Sequence, residues 1–266
     1  MVPATVLDAF GLAGVGRPLS GGQGRSVRFG EVVLKPVDDP VEAAGCAEVL
    51  ASVAGDGFRI PRPRRARDGR WVVDGWSAAA HVTGRAAPAG HWDDLLAAAH
   101  SFHAALAPVA RPAFLDRREH RWARADRAAW EEGAVAVPAE VAGLWDRLTR
   151  LRRPVDRAAQ LIHGDLSGNV LFAADSPPAI IDFSPYWRPV AYATAIVAAD
   201  AALWFGEDRL LSGAGTGREF AQLLVRAALF RLGALTEKGR ETGHLAPAEV
   251  APFPPVVDAV ERLARA

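Results

Sequence analysis

The run Leu161-Ile162-His163-Gly164-Asp165-Leu166-Ser167-Gly168-Asn169-Val170-Leu171-Phe172, followed by Ile180-Ile181-Asp182-Phe183, limits most sharply what this chain can become. Two apolar, β-rich runs each deliver polar groups at their ends. An acid placed directly after an apolar strand works against stability unless it is paired or used, so Asp165 and Asp182 read as functional. An acid, a carboxamide and a second acid at this spacing suit a site that orients a hydroxyl and holds Mg²⁺ on a polyphosphate, because that cation takes hard oxygen ligands. The expected chemistry is phosphoryl transfer.

These residues resemble the signature of the aminoglycoside phosphotransferase family, small-molecule kinases built on the protein-kinase fold: His-Gly-Asp, a short loop, Asn, then an apolar Ile-Asp. The resemblance implies an α+β, two-lobed fold, with a small antiparallel β-sheet and one helix in the N-lobe and a larger, mostly helical C-lobe. It also implies ATP and Mg²⁺ as cofactors. Carried over by position, Asp165 receives the proton of the acceptor hydroxyl, while Asn169 and Asp182 hold Mg²⁺. His163 orients the loop. Only Leu166, Ser167 and Gly168 separate Asp165 from Asn169, one fewer than in the kinase pattern. Asp182 is followed by Phe183-Ser184-Pro185 rather than Phe-Gly, and the family's further Asp, in the helix after a Pro, falls at Ala193.

A chain of 266 residues, half of them apolar, can bury a substantial core in one large domain or two packed lobes. Its 31 basic and 31 acidic residues cancel, which argues against nucleic acid or an anionic membrane as a partner. The single cysteine, Cys46, excludes an intramolecular disulfide, and no long uncharged apolar run appears, so a soluble, cytoplasmic protein is expected. Lys35 and Lys238 are the only lysines in an arginine-rich chain. A lysine here suggests a place that wants a compact ammonium.

Residues 1–82 read as the N-lobe. Ser20-Gly21-Gly22-Gln23-Gly24 is a glycine-rich turn, and Ser26–Phe29 with Val32–Lys35 form a hairpin. Glycine-rich turns are common in ordinary hairpins, but Lys35 on the next strand matches how kinase-like proteins cover and contact nucleotide phosphates, so Gly21, Gly22, Gly24 and Lys35 are assigned to the nucleotide. Asp39 caps a helix running to about Val53, the counterpart of the kinase αC helix. Its Glu48, rather than Glu42 in the first turn, is expected to hold the Lys35 ammonium. Further strands to Val82 complete a sheet of about five. Arg62, Arg64, Arg65 and Arg67 read as a solvated edge.

Residues 83–90 read as the interlobe hinge, with backbone groups of Ala80 and Val82 on the adenine edge by resemblance. Residues 91–266 read as the C-lobe. His100 and His103 read as helix-surface or core-edge residues, and Trp122, Trp130 and Trp145 as core. Ser184–Pro189 reads as an irregular segment, its aromatics either lining an acceptor pocket or packing the loop down.

Polycationic aminoglycosides call for clustered acids, yet the helical half offers only scattered ones, Glu131, Glu132, Glu207 and Asp208. The expected acceptor is therefore a hydroxylated small metabolite. The alternative is a non-catalytic ATP-binding pseudokinase with a sensing or scaffolding role, and a third reading is a helical protein with a chance motif. The kinase reading requires Lys35 to face Asp182.

Overall fold

The computed structural model describes residues 2–19, 24–215 and 217–266. The chain opens with α1 (Ala4–Phe10) and β1 (Arg17–Pro18). Gly30, at φ +57°, lies in the turn that folds β2 (Val27–Phe29) back onto β3 (Val32–Pro36) with Phe29 opposite Val32. Next, α2 (Pro40–Ser52) starts on Asp39, whose carboxylate accepts the amides of Val41 at 2.8 Å and Glu42 at 3.2 Å. Then come β4 (Pro63–Arg64), β5 (Val72–Val73), β6 (Trp76–Ala80), β7 (Arg85–Ala86) and α3 (Trp92–Leu106). The remainder is α4 (Arg121–Ala129), α5 (Ala139–Leu151), β8 (Gln160–His163), β9 (Val170–Ala173), β10 (Ser176–Ile180) and β11 (Pro185–Arg188). It closes with α6 (Val190–Phe205), α7 (Arg209–Gly213), α8 (Gly217–Thr242), α9 (Pro247–Val250) and α10 (Phe253–Arg265).

The chain divides into two compact units, Met1–Asp116 with Gly168–Pro185, and Arg117–Ser167 with Tyr186–Ala266. In the first, an antiparallel six-stranded sheet has the order β1-β2-β3-β6-β4, with β5 also on β6. Alternating side chains of β2, β3 and β6 (Phe29, Val32, Leu34, Ala78) bury against Val6 and Phe10 of α1. Arg62 donates to the carbonyls of Leu50 and Val53 at 3.4 and 2.5 Å, closing the C-terminal end of α2. A second sheet has the order β10-β9-β7. Residues 83–90 thus lie inside this unit, where β7 pairs with β9.

The second unit is mainly helical and built on α8, against which α4, α5, α6 and α10 pack. Ser184–Pro189, read from sequence as irregular, contains β11, which pairs with β8 and buries Tyr186. The fold is α+β, with antiparallel sheets in the N-terminal part and a helical C-terminal part. Among the described residues no helix is long and apolar enough to cross a membrane.

Candidate active site

In the first unit, the β9–β10 register delivers two of the expected residues to one corner. Val170 faces Ile180, and one step outward the Ile181 amide donates to the Asn169 carbonyl at 2.9 Å. Asp182 follows immediately, at φ +49°, a left-handed conformation that Asp tolerates better than most residues. The Ser184 hydroxyl donates to its carbonyl at 3.2 Å. Lys35, near the end of β3, places Nζ 2.7 Å from Asp182 Oδ1. Both side chains remain accessible, 48 % and 36 % exposed. Asn169 and Asp182 offer a carboxamide and a carboxylate, hard oxygen donors of the kind Mg²⁺ takes one or two at a time, with phosphate and water filling its other positions. No cluster of three or more His, Cys, Asp or Glu side chains suited to a metal occurs among the described residues.

In the second unit, β8 ends at His163, and the backbone amide of Asp165 donates to His163 Nδ1 at 3.1 Å. His163 is fully buried, so it braces the turn, as expected. Gly164 is required by packing: a Cβ there would lie 2.4 Å from Cδ2 of Tyr186 on β11. The Asp165 carboxylate is held by α8, its Oδ1 accepting from the Arg231 guanidinium at 2.9 Å. Arg231, on α8, also donates to both oxygens of Asp200, at 2.6 and 2.5 Å. Ser167 donates to the same carboxylate at 3.0 Å. Burial alone would lower the Arg231 pKa, but the Asp200 and Asp165 carboxylates together help raise the guanidinium above its ordinary value. Arg231 is therefore charged, and its fork-like donors match the carboxylate.

Arg231, Asp200 and Ser167 escaped the sequence reading. The available signal was an acid inside the otherwise apolar α6, since a buried charge must have a partner. The sequence put the missing family acid at Ala193, which is buried, but Asp200, about two turns further along α6, supplies a buried carboxylate that reaches Ser167.

One expected pair is not formed. Glu48 accepts from Arg65 at 2.9 Å and from the Trp71 indole at 2.6 Å, while Lys35 pairs with Asp182. The reason is local: α2 packs on β4 and β5, and position 48 faces the segment joining those strands. Gly21 and Gly22 lie outside the described residues; Gly24, at φ +66°, has open space where a side chain would point. The Ala80 amide is engaged by the Arg62 carbonyl at 2.8 Å, whereas the Val82 amide donates to no acceptor among the described residues. Trp122, read as core, is 37 % exposed.

The model of the phosphotransferase enzyme family matches residues 16–230. The chain belongs to that family. Among solved structures, this phosphotransferase-family chain is similar to a thermostable mutant of aminoglycoside phosphotransferase APH(4)-Ia in complex with ADP and hygromycin B, at 17 % identity and a TM-score of 0.62, covering 98 % of both chains. A microcompartment-associated aminopropanol kinase follows at 20 % identity and a TM-score of 0.60, covering 98 % of this chain and 95 % of that one. A choline kinase from Streptococcus pneumoniae gives 12 % identity and a TM-score of 0.57, covering 97 % and 98 %. At these identities the likeness is one of fold. No curated protein sequence matches the chain.

Proposed function

We propose that this member of the phosphotransferase enzyme family is an ATP- and Mg²⁺-dependent small-molecule kinase that phosphorylates a hydroxyl of a small metabolite. The observation that carries the reading is the Lys35–Asp182 contact at 2.7 Å, which sets an ammonium beside an accessible acid on the hairpin that also bears Asn169. In this reading Lys35 contacts the nucleotide phosphates, Gly24 with its neighbours covers them, and the Val82 amide meets the adenine edge. Asn169 and Asp182 would hold Mg²⁺, which when bound neutralises charge on the phosphates. Asp165, oriented by Arg231, accepts the proton as the acceptor oxygen forms its bond to the γ-phosphorus and the bond to the leaving ADP oxygen breaks. Glu48 has no part in this account, because its carboxylate is engaged by Arg65 and Trp71. A net charge of zero and a lone cysteine support a cytoplasmic protein, and among the described residues no helix is long and apolar enough to cross a membrane.

A nucleotide-binding protein without turnover is the competing reading, favoured by the three-residue step from Asp165 to Asn169. Incubation with Mg-ATP and a panel of hydroxylated compounds separates the two. ADP and a phosphorylated product support the kinase, whereas Mg-ATP binding with no product from any acceptor supports the sensor.

A further inference from the structure

A cleft of about 960 Å³ opens in the second unit between the C-terminal end of α5, the first turns of α8 and the last turns of α10. It shares no residue with the candidate active site. Basic and acidic residues are equal in number over the whole chain, so a local excess of one sign departs from its average. Much of the charge around the cleft cancels. Arg147 lies 2.6 Å from both Asp258 and Glu261, Arg265 lies 2.5 Å from Glu261, and Arg157 lies 2.6 Å from Glu219. Three lining arginines are left over. Among the described residues Arg150 and Arg218 form no ion pair, and the Arg153 guanidinium donates only to the carbonyls of Arg150 and Arg152, at 3.1 and 2.7 Å. The lining sets one acid against them, Asp156, which pairs with no arginine among the described residues. Asp146, one turn before Arg150 on α5, is not part of the lining.

The wall beneath these side chains is fixed. Gln222, 7 % exposed, accepts the Arg153 amide at 2.6 Å and donates to the Leu151 carbonyl at 3.1 Å, which ties the end of α5 to α8. One turn further along α8, the buried Arg226 donates to the Arg153 carbonyl at 2.8 Å. Its carboxylate neighbour, Glu131, stands 3.9 Å away and is shared with Arg152 at 3.7 Å, so positive charge is in excess behind the wall as well. Stability does not account for the whole arrangement. Arg150 suits the carbonyl end of α5, but Arg218 lies in the first turn of α8, where unpaired amides disfavour a cation. A guanidinium presents paired donors that match a phosphate or a carboxylate. No aromatic residue lines the cleft, so it offers no platform on which a nucleobase could stack.

We propose that this cleft is a second ligand site, which takes a small polyanion bearing several phosphate or carboxylate groups on Arg150, Arg153 and Arg218. The proposal stands apart from the kinase reading. Its test is calorimetric titration of the whole protein in magnesium-free buffer, with tripolyphosphate and citrate as probes. One or both should bind, and the tighter of the two tells phosphate from carboxylate recognition. Arg150→Gln combined with Arg218→Gln should weaken binding by about tenfold or more, and Asp156→Asn should tighten it by about twofold or more. These side chains are exposed, so thermal melting without a probe should match the unmodified protein and show that the variants fold. Lys35→Met, at the candidate nucleotide site, should bind both probes as the unmodified protein does. No binding of either probe, wild-type affinity in the double arginine variant, no tightening in Asp156→Asn, or loss of binding in Lys35→Met overturns the proposal.

Discussion

Lys35 Nζ and Asp182 Oδ1 meet at 2.7 Å although 147 positions separate them in the chain. The pair is substantially solvent-accessible, 48 % and 36 % exposed, and an ion pair of that kind contributes only about 0–1 kcal/mol. Stability therefore gives a weak reason for the chain to assemble it. Lys35→Met is expected to change unfolding free energy by less than about 1 kcal/mol while weakening Mg-ATP binding by about tenfold or more, read by urea denaturation and nucleotide titration. A large stability loss with unchanged nucleotide affinity would make the pair structural.

Asp165 is expected to matter for turnover rather than binding. Asp165→Ala should lower kcat by at least about a hundredfold and leave Mg-ATP affinity nearly unchanged. Wild-type turnover in that variant would take Asp165 out of the mechanism.

The Arg231–Asp200 pair is buried on both sides, with 2 % and 1 % side-chain exposure. Removing one partner strands the other charge away from water, so Arg231→Met should destabilise the protein by about 3–5 kcal/mol. Replacing both, with Asp200→Leu added, should restore much of that stability in urea melts but not turnover, because the Asp165 carboxylate still lacks its guanidinium. Full recovery of activity in the double variant would show that Arg231 does not position Asp165.

Gly164 lies where the ring of Tyr186 closes on the backbone, and an added methyl has no room. Gly164→Ala should cost about 1–3 kcal/mol by overpacking and reduce activity through the neighbouring Asp165. Thermal melting unchanged from wild type would contradict the packing argument.

His120 caps α4, its Nδ1 accepting the Ala123 amide at 3.2 Å. Partial burial, followed by the fields of Arg118, Arg124, Arg127 and Arg121, pushes its pKa from 6.5 down to about 4. The unfolded chain then binds a proton more readily than the folded one between those values. Stability from this residue is complete above about pH 6.5 and is lost as pH falls toward 4. His120→Asn, which keeps a capping acceptor, should flatten that part of the stability–pH curve; an unchanged slope would assign it to other groups.

Much of this was legible because it is local. Asp39 followed by Pro40 announces the start of α2, alternation marks β2 and an apolar run marks β3, and the order of His163, Asp165, Asn169 and Asp182 points to phosphoryl transfer before any contact is known. Lys35 stood out through composition alone, as one of two lysines. What was not legible depends on which faces meet. Glu48 has the right residue type on the right helix, but the packing of α2 on β4 and β5 turns it to Arg65 and Trp71. Asp200 and Arg231 sit inside apolar helices, and only their tertiary meeting shows that they form one hydrogen-bonded chain with Asp165 and Ser167. Trp122 has the spacing of a core residue, yet its ring stands beside Arg231 with over a third of its surface open.

The most direct measurement is the thermal shift produced by Mg-ATP in the unmodified protein, in Asp182→Ala and in Asp165→Ala. Nucleotide at about 100 times its dissociation constant should stabilise the unmodified protein by roughly 2.7 kcal/mol. Asp182→Ala should lose nearly all of that stabilisation, and Asp165→Ala should keep it. No shift in the unmodified protein, or the same shift in Asp182→Ala, would contradict the assignment of Lys35 and Asp182 to a metal-nucleotide site.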